Sequence, residues 1–233
     1  MYHMDQVSTF TIFTLSGWQN KIFALKSMSN FVTLCSKVKG LEFMKLMGSG
    51  SKDGFSVMPD LTKYILLCVW ENEDEANDYF AHSPIFHNYI LHTSAHQTIY
   101  MKATMAHGLW GGKNPFVINS THHDDTKKVA VLTRATIKWK DMIRFWRDVP
   151  AVSRSLKNNG IQPIFAVGVG ELPFRYQATF SIWEESSAMK KFAYQTKAHM
   201  DMVSKTRKVG WYSEELFARF YPYRVVGSEL VKI

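Results

Sequence analysis

The residue with the best-defined capacity for chemistry is His199, in the last long helical segment of the sequence. Ala188, Phe192, His199 and Val203 follow one another at steps of 4, 7 and 4 residues, a spacing that places all four on one face of a helix. The imidazole is therefore expected to point toward a sheet or a pocket. Two interpretations stay open: a buried histidine satisfied by a hydrogen bond, or a neutral imidazole that coordinates a metal ion or a haem iron.

His87 occupies the equivalent position in the first half of the chain. It stands seven residues after Phe80, as His199 stands seven residues after Phe192. The pair Ser83-Pro84 interrupts its segment, because proline lacks a backbone N–H and its ring clashes with the preceding turn of a helix. His87 is therefore the weaker candidate for a ligand.

Three arginines could bind an anion or a carboxylate. Arg134 stands in the middle of a predicted strand among apolar neighbours, where an unpaired guanidinium would be costly. It either pairs with Glu171 or another carboxylate, or faces a ligand carboxylate or bound oxygen. Arg207 and Arg219 are further candidates for holding ligand carboxylates, because a guanidinium binds a carboxylate through two parallel hydrogen bonds.

Polar and apolar side chains alternate along the predicted strand 176–183. The polar face consists of Gln177, Thr179 and Ser181, and the apolar face of Tyr176, Ala178, Phe180 and Ile182. We expect the apolar face to pack against helices and the polar face to line a space between two sheets. Because a buried polar face is costly when nothing pairs with it, Gln177 would meet water or a ligand there.

An internal repeat indicates which elements position these residues. The predicted strands are 9–15, 43–50, 64–70 and 97–103 in the first half and 129–137, 164–170, 176–183 and 216–221 in the second. The predicted helices are 18–34 and 73–92, then 141–158 and 185–207. In both halves the second strand ends in Gly-x-Gly and the third ends in a tryptophan, Trp70 or Trp183.

The element order βαββαβ, twice, is that of the ferredoxin-like split βαβ unit. It predicts an α+β protein of tandem ferredoxin-like repeats, packed open face to open face as in a dimeric α+β barrel but from a single chain. The predicted boundaries are 1–110 for the first repeat, 111–128 for a linker rich in Gly, Asn, His and Asp, and 129–233 for the second repeat.

Composition narrows the class of protein. The chain has 233 residues, a formal charge of +8 and two cysteines, so it offers no disulfide framework. The first ten residues lack the build of a signal peptide, and the longest apolar run, 64–70, is far shorter than a membrane span. A cytoplasmic protein is expected. Its basic surface leaves peripheral contact with an anionic membrane open, and the sequence does not decide whether copies associate.

The charge does not predict nucleic-acid binding. The basic residues are scattered, and no RNP-type or zinc-finger pattern accompanies them. The aromatic share of 14% and the twelve methionines instead suit an apolar pocket, since both residue types give broad apolar contact. A small apolar substrate is the expected partner.

Six ordered segments resemble the spheroidene monooxygenase family. They are MGSG at 47–50, LTRAT at 132–136, FWRDVP at 145–150, GVGELP at 168–173, TFSIW at 179–183 and WYSEELFARF at 211–220. The similarity runs from about residue 9 to residue 220. The resemblance implies haem b as cofactor, dioxygen, an electron donor, and oxidation at C2 of an acyclic carotenoid to a ketone.

The resemblance also bears on individual residues. The segment containing His199 aligns with the family's pattern near its C-terminal end, which favours His199 as the proximal ligand of the haem iron. In that arrangement Arg207 and Arg219 would hold the propionates, and Arg134 or Gln177 would donate hydrogen bonds to dioxygen at the haem.

Three other functions remain open from the sequence. The first is a haem enzyme of the same fold with different chemistry, such as a dehydratase acting on N–O bonds or a peroxidase-like enzyme. The second is a haem-binding protein without catalytic activity. The third is a monooxygenase of the same α+β fold that uses no cofactor.

Overall fold

The computed structural model describes residues 5–51, 58–118, 126–147, 162–171, 175–195 (backbone only at 194 and 195), 206 and 208–232. The first half comprises β1 (Val7–Thr14), α1 (Trp18–Leu34), β2 (Leu41–Gly50), β3 (Pro59–Trp70), α2 (Glu73–His82), α3 (Pro84–Ile90) and β4 (Ala95–Gly108). The second comprises β5 (Val129–Ile137), a 3-10 turn (Trp139–Asp141), the helix α4 described over 142–147, β6 (Phe165–Gly170), β7 (Tyr176–Trp183), α5 (Ser186–Gln195) and β8 (Tyr212–Gly227).

The eight strands form one closed antiparallel barrel. Their order around the barrel is β1-β3-β2-β6-β7-β5-β8-β4, so each half contributes four neighbouring strands in the same relative order. The predicted combination of helices with an antiparallel barrel is confirmed. The description of each half as a ferredoxin-like repeat, with the boundaries given above, stays a prediction.

The two halves meet along two seams. We call the β4–β8 pairing the long seam, since it runs from Gln97 opposite Gly227 to Gly108 opposite Leu216. We call the β2–β6 pairing the glycine seam, since it consists of Gly48 opposite Gly170 and Ser49 opposite Val169.

Apolar side chains from all eight strands fill the barrel interior. They include Phe10, Ile12, Ile65, Leu67, Ile99, Met101, Leu132, Val167, Phe180, Ile182, Leu216 and Phe220. The rings of Phe10 and Phe180 stack across the two halves with centroids 3.7 Å apart. Trp110 and Phe116, from the connection between the halves, also enter this cluster. Within the described residues the interior is therefore a packed core.

The prediction for the two faces of β7 was wrong. Ala178, Phe180 and Ile182 lie in the interior cluster, so the face with Gln177 is directed outward. Trp183, on that outward face, donates from Nε1 to the hydroxyl of Ser181 at 2.9 Å. The reason is that closure of the barrel buries one face of every strand among apolar side chains, so the apolar face of β7 is directed inward and its polar face outward.

Helices cover the outer faces of the sheet. Under α1, α2 and α3 lies a large aromatic cluster whose members include Phe13, Phe31, Tyr64, Trp70, Tyr79, Phe86, Tyr89 and Tyr100. Under α5 lies a smaller cluster of Val129, Val131, Trp183, Met189 and Phe192. The outer layers of the two halves are thus unequal within the described residues.

The predicted helix 73–92 is two helices. α2 begins after Asn72, whose side chain accepts a hydrogen bond from the N–H of Glu75 at 3.0 Å. It ends at His82, and Ser83 then caps α3, which begins with Pro84. Proline is suited to the first position of a helix, where no N–H is needed, but not to the interior. The predicted helix 18–34 is confirmed as α1.

Candidate functional site

The two Gly-x-Gly segments of the sequence repeat meet in space. They are the ends of β2 and β6 and form the glycine seam. Side chains alternate across a strand, and Val167 and Val169 lie in the interior, so Gly168 and Gly170 face outward. Gly48 also faces outward, because a Cβ placed on it would lie 3.7 Å from the sulfur of Met28 on α1. The outer surface of the sheet therefore lacks side chains at these positions.

A cleft of about 380 Å³ lies over this bare surface. We call it the seam cleft. Its lining residues are Leu25, Met28, Ser29, Gly48, Ser49, Gly50, Pro59, Asp60, Leu61, Tyr64, Trp146, Gly168, Val169, Gly170, Glu171 and Gln177. The volume lies within the range of small-molecule sites, and glycine within a strand often marks the close approach of a ligand to the backbone.

The walls of the seam cleft come from both halves. Leu25 and Met28 of α1 stand on one side, and Trp146 of α4 belongs to the other half. Gln177 reaches over the floor, since its Nε2 lies 3.6 Å from the position that a Cβ on Gly170 would take. The cleft thus combines an apolar wall with an amide that can donate and accept hydrogen bonds.

Tyr64 brings an unsatisfied hydroxyl to the seam cleft. The residue is only 1% exposed, and its hydroxyl oxygen has no hydrogen-bond partner in the described part of the chain. Burial raises the pKa of this hydroxyl, and the charge of Asp60 adds to the rise. The group therefore stays protonated at physiological pH and is a hydrogen-bond donor without an acceptor. A buried polar group of this kind calls for a ligand or water.

Arg134 lies on the other side of the sheet from Gln177. Its guanidinium is buried, forms an ion pair with Glu214, and lies 5.5 Å from the ring centroid of Trp110 in the barrel interior. Because Arg134 pairs with Ala178 in the strand register, it faces inward where Gln177 faces outward. The two predicted hydrogen-bond donors therefore cannot contact one small molecule together.

Glu171, named in advance as a carboxylate that could pair with Arg134, has other partners. It accepts hydrogen bonds from Lys45 at 2.6 Å and from the indole N–H of Trp110 at 2.8 Å. Since Lys45 belongs to β2 and Glu171 follows β6, this ion pair crosses the glycine seam. Arg134 instead has the carboxylate of Glu214, so its predicted role toward a ligand stays a prediction.

Arg219 lies on the outer face of β8 with an orphaned polar atom. The residue is 9% exposed, and its Nε has no hydrogen-bond partner in the described chain. Its guanidinium carbon lies 5.6 Å from the ring centroid of Phe217. The register places it level with Ser181, roughly 16 Å from Gln177 by strand geometry. One small anion could not contact Arg219 and Gln177 at the same time over that distance. A large flat ligand could contact one of them at each end.

These observations test whether the residues fit a haem. The Arg219 guanidinium, buried and with no partner for its Nε among the described residues, suits a propionate, so this residue fits the group. His199 and Arg207 lie outside the described residues. Within those ranges no group of three His, Cys, Asp or Glu side chains is placed to hold a metal ion. His87 is exposed, with its Nε2 at 3.2 Å from the carbonyl of Phe80, which agrees with its weaker standing.

Sequence reasoning missed the walls of the seam cleft. Tyr64, Met28, Leu25 and Trp146 belong to three elements that are far apart in the chain, and no local pattern links them. The matched Gly-x-Gly segments were the available signal. The sequence does not show that these two segments pair with each other, as they do in the glycine seam, where they form the floor of the cleft.

Comparison with solved structures supports the fold. A crystal structure of an aldoxime dehydratase has a TM-score of 0.65, is 10% identical, and is covered over 85% of its length by 97% of this chain. A second, solved with butyraldoxime, has a TM-score of 0.63, is also 10% identical, and is covered over 81% by 96% of this chain. At this identity the likeness concerns the fold alone.

Sequence comparison identifies closer relatives, although no protein-family model matches the chain. A spheroidene monooxygenase of Cereibacter sphaeroides is 33% identical over 224 residues, which are 96% of this chain and 68% of the relative. One of Rhodobacter capsulatus is 30% identical over 96% of this chain and 91% of its own. One of Rubrivivax gelatinosus is 33% identical over 81% of this chain and 71% of its own. The resemblance carried by the six segments is therefore confirmed, and the chain belongs to the spheroidene monooxygenase family.

Proposed function

We propose that this protein is a haem-dependent monooxygenase that oxidises an acyclic carotenoid-like substrate with dioxygen. Membership of the family supports monooxygenase activity. The observation that carries the choice of substrate is the seam cleft, with its glycine floor and largely apolar walls. The cleft favours oxygenation of a long apolar molecule over dehydration of an aldoxime. The aldoxime reaction is supported only by the similarity of the fold.

A conjugated hydrocarbon chain is flat and offers few polar atoms. Such a ligand binds mainly by burial of apolar surface, at about 25 cal/mol per Å², and needs only a few polar groups to fix its position. The bare sheet surface at Gly48, Gly168 and Gly170 lets a flat chain approach the backbone. Leu25, Met28 and Trp146 supply the apolar contacts above it.

The polar groups of the seam cleft act on oxygen. The protonated hydroxyl of Tyr64 donates a hydrogen bond to an oxygen atom of the substrate or product. The amide of Gln177 donates to dioxygen or to the developing oxygen function. Of the two donors predicted from the sequence, Gln177 takes this role in the proposal, because Arg134 faces the barrel interior and is paired with Glu214.

Haem b, when bound, supplies the activation of dioxygen. His199 would ligate the iron, and Arg207 and Arg219 would hold the propionates. Each oxygenation inserts one oxygen atom into a C–H bond and reduces the other to water with two electrons and two protons, so an external electron donor is a required partner. The chain's own task is to orient the substrate and exclude water from the reacting carbon.

A visible absorption spectrum of the protein reconstituted with haem tests the cofactor. We expect a Soret band that is lost in His199→Ala and retained in the matched variant His87→Ala. If the reconstituted protein shows no Soret band, the proposal that it depends on haem is wrong. A Soret band that survives in His199→Ala would instead remove only the ligand assignment.

Product analysis tests the reaction. With an acyclic carotenoid, a reductant and dioxygen, we expect a product that carries the label when the dioxygen is enriched in ¹⁸O. The same preparation is offered an aliphatic aldoxime as a control. Formation of a nitrile, with the carotenoid unchanged, would replace the monooxygenase by a dehydratase.

Two tyrosines provide a matched test of the seam cleft. Tyr64 and Tyr89 both have buried hydroxyls without a partner in the described chain, but only Tyr64 lines the cleft. We expect Tyr64→Phe to raise KM for an oxygen-bearing substrate about fivefold, the value of one net hydrogen bond, and Tyr89→Phe to leave KM unchanged. If the two variants change KM equally, the Tyr64 hydroxyl does not bind the substrate.

A further inference from the structure

Helix α1 is apolar on two opposite faces. Ala24 and Phe31 are buried against the sheet. The exposed apolar residues of the helix are Trp18, Ile22, Leu25, Val32 and Leu34. Trp18 is 68% exposed and Leu25 is 53% exposed. With Ile22 between them, they follow at steps of 4 and 3 residues and form one outward stripe. A helix on a globular protein normally turns polar residues to water, so this outer stripe marks an interaction surface.

The surroundings of the stripe are basic. No Asp or Glu occurs between residues 6 and 41, whereas four lysines do. Lys21 and Lys26 lie on α1 on either side of the outward stripe by helical geometry, and neither forms an ion pair within the described chain. Lys39, further along, is paired with Glu75 at 2.7 Å. The stripe therefore combines apolar side chains with two free positive charges.

The opposite rim of the seam cleft has the same character. On α4, Ile143 is 88% exposed and lies one turn before Trp146, which lines the cleft. Trp139 precedes the helix and is 61% exposed. Arg144 and Arg147 are exposed beside them. The cleft thus opens between two elements that both present large apolar and basic side chains.

We propose that this rim, consisting of the outer stripe of α1 and the exposed side of α4, docks on the surface of an anionic lipid bilayer. Trp18, Ile22 and Ile143 would enter the interface between head groups and acyl chains. Lys21 and Lys26 would contact anionic head groups, which attract basic side chains near the bilayer surface. Tryptophan is enriched at this depth of a bilayer, because its ring is apolar and its N–H is polar.

Charge selects the bilayer over a second copy of the chain. In a twofold dimer the same patch contacts itself, which would bring Lys21 and Lys26 of one copy against those of the other without any acidic residue of α1 between them. Like charges in contact cost affinity. An anionic lipid surface instead pairs every basic group of the rim.

The attachment would be peripheral. In the part of the chain that the structure describes, no helix is long and apolar enough to cross a membrane. Leu25 belongs to the outer stripe and to the lining of the seam cleft, so the cleft would open at the lipid surface. An apolar substrate dissolved in the bilayer could then enter without crossing water. That consequence rests on the proposed function, whereas the docking itself does not.

Vesicle co-sedimentation of the full chain tests the docking. The probes are vesicles of phosphatidylcholine alone and vesicles in which about one third of the lipid is phosphatidylserine. We expect binding to the anionic vesicles that weakens at high salt, because screening shortens the reach of the lysine charges. Trp18→Ser combined with Ile22→Ser should weaken binding at least tenfold, and Lys21→Gln combined with Lys26→Gln about tenfold or more at low salt.

The long seam, on the opposite side of the barrel, supplies the matched control. Val226→Ser combined with Lys232→Gln removes one exposed apolar side chain of β8 and one exposed lysine just beyond that strand, and should leave vesicle binding unchanged. Size-exclusion chromatography of all variants tests the alternative that a second copy of the chain covers the rim. A dimer that dissociates in Trp18→Ser with Ile22→Ser, while vesicles bind no variant, would overturn the proposal in favour of an interface between copies. Equal loss in the control would reduce the binding to nonspecific charge.

Discussion

The two seams of the barrel differ in length and in the packing on their outer sides. The long seam continues from Gln97 to Gly108 of β4 along most of β8, and an ion pair between Arg224 and Glu73 links the two halves across it. The glycine seam has two residue pairs, a floor without side chains, and the unsatisfied hydroxyl of Tyr64. The barrel is closed by backbone hydrogen bonds at both seams. The side-chain packing on the outer side of the two seams does not have to be equal. One seam can therefore be left open on its outer side and become a site.

Arg224 connects the two halves across the long seam through its terminal guanidinium nitrogens, although its Nε has no hydrogen-bond partner within the described residues. From β8 it forms an ion pair with Glu73 at 2.6 Å and donates to the side chain of Asn77 at 2.5 Å. Its guanidinium carbon lies 3.9 Å from the ring centroid of Tyr100. Arg219, five residues earlier on the same strand, lies beside the ring of Phe217 and has no ion-pair partner within the described residues. The contrast indicates a structural role for Arg224, whereas the role of Arg219 toward a ligand stays a prediction.

Truncation of the core beside the long seam should have the largest effect. Phe220 faces the interior from β8, with its ring at 5.0 Å from that of Phe116. We expect Phe220→Ala to lower the free energy of unfolding by about 3–5 kcal/mol. Val169→Ala, at the glycine seam, should cost about 1–2 kcal/mol for the methyl groups lost. Urea unfolding measures both, and equal losses would remove the distinction between the seams.

The ion pairs that cross the two seams give the next effect. Arg224→Met removes an ion pair, a hydrogen bond and a contact with the face of Tyr100, so we expect a loss of about 1–2 kcal/mol, tempered by the partial exposure of the pair. Lys45→Met removes the half-exposed pair with Glu171 and should cost less than about 1 kcal/mol. Thermal unfolding compares them. A larger loss in Lys45→Met would make the glycine seam the stronger junction.

Local patterns predicted the elements well. The helix 18–34 and the strand 129–137 were placed with the bounds that the structure has, because helical and strand periodicities are contained in a short stretch of sequence. The closed barrel also followed from the repeated element order. These features need no knowledge of which strands pair at the seams.

What the sequence could not give depends on contacts between distant residues. Alternation along β7 placed Gln177 and Ala178 on opposite faces of the strand. It could not tell which face lies inside the barrel, because that depends on how the other strands close it. For Arg134 the sequence predicted either a carboxylate, Glu171 or another, or a ligand, but it could not name Glu214, 80 residues away, as the partner. The charge of a buried guanidinium shows that it needs a carboxylate partner. Which carboxylate is close enough depends on the register of the paired strands.

The Glu214 pair should give a small pH-dependent effect. Burial works to raise the pKa of the Glu214 carboxyl, but hydrogen bonds from the backbone N–H groups of Gly112 and Gly111, with Arg134, lower it below its ordinary value of 4.5. Because the folded pKa lies below the unfolded one, the stabilisation is full above the ordinary pKa and is lost as pH falls through the folded pKa.

Glu214→Gln tests this linkage. The variant should be less stable than the original chain at neutral pH, and the difference in the free energy of unfolding should shrink as the pH falls below about 4.5. Urea unfolding at a series of pH values measures the difference. A difference that stays constant with pH would mean that the carboxylate charge contributes nothing beyond its shape.

Gly48→Ala should change stability least and bears most directly on the seam cleft. The new Cβ would meet the sulfur of Met28 at 3.7 Å and the ring of Tyr64 at 4.0 Å, which are ordinary contacts. The free energy of unfolding should therefore shift by no more than about 1 kcal/mol, and upward if the unfolded chain loses freedom. The methyl group would nevertheless stand on the floor where a flat ligand approaches the backbone, so KM for an apolar substrate should rise about tenfold. Gly170→Ala is the matched contrast, because its Cβ would lie 2.5 Å from the carbonyl oxygen of Tyr176 and should reduce stability as well as binding. If Gly48→Ala keeps both its stability and its KM, the glycine floor is a consequence of strand pairing and the ligand binds elsewhere.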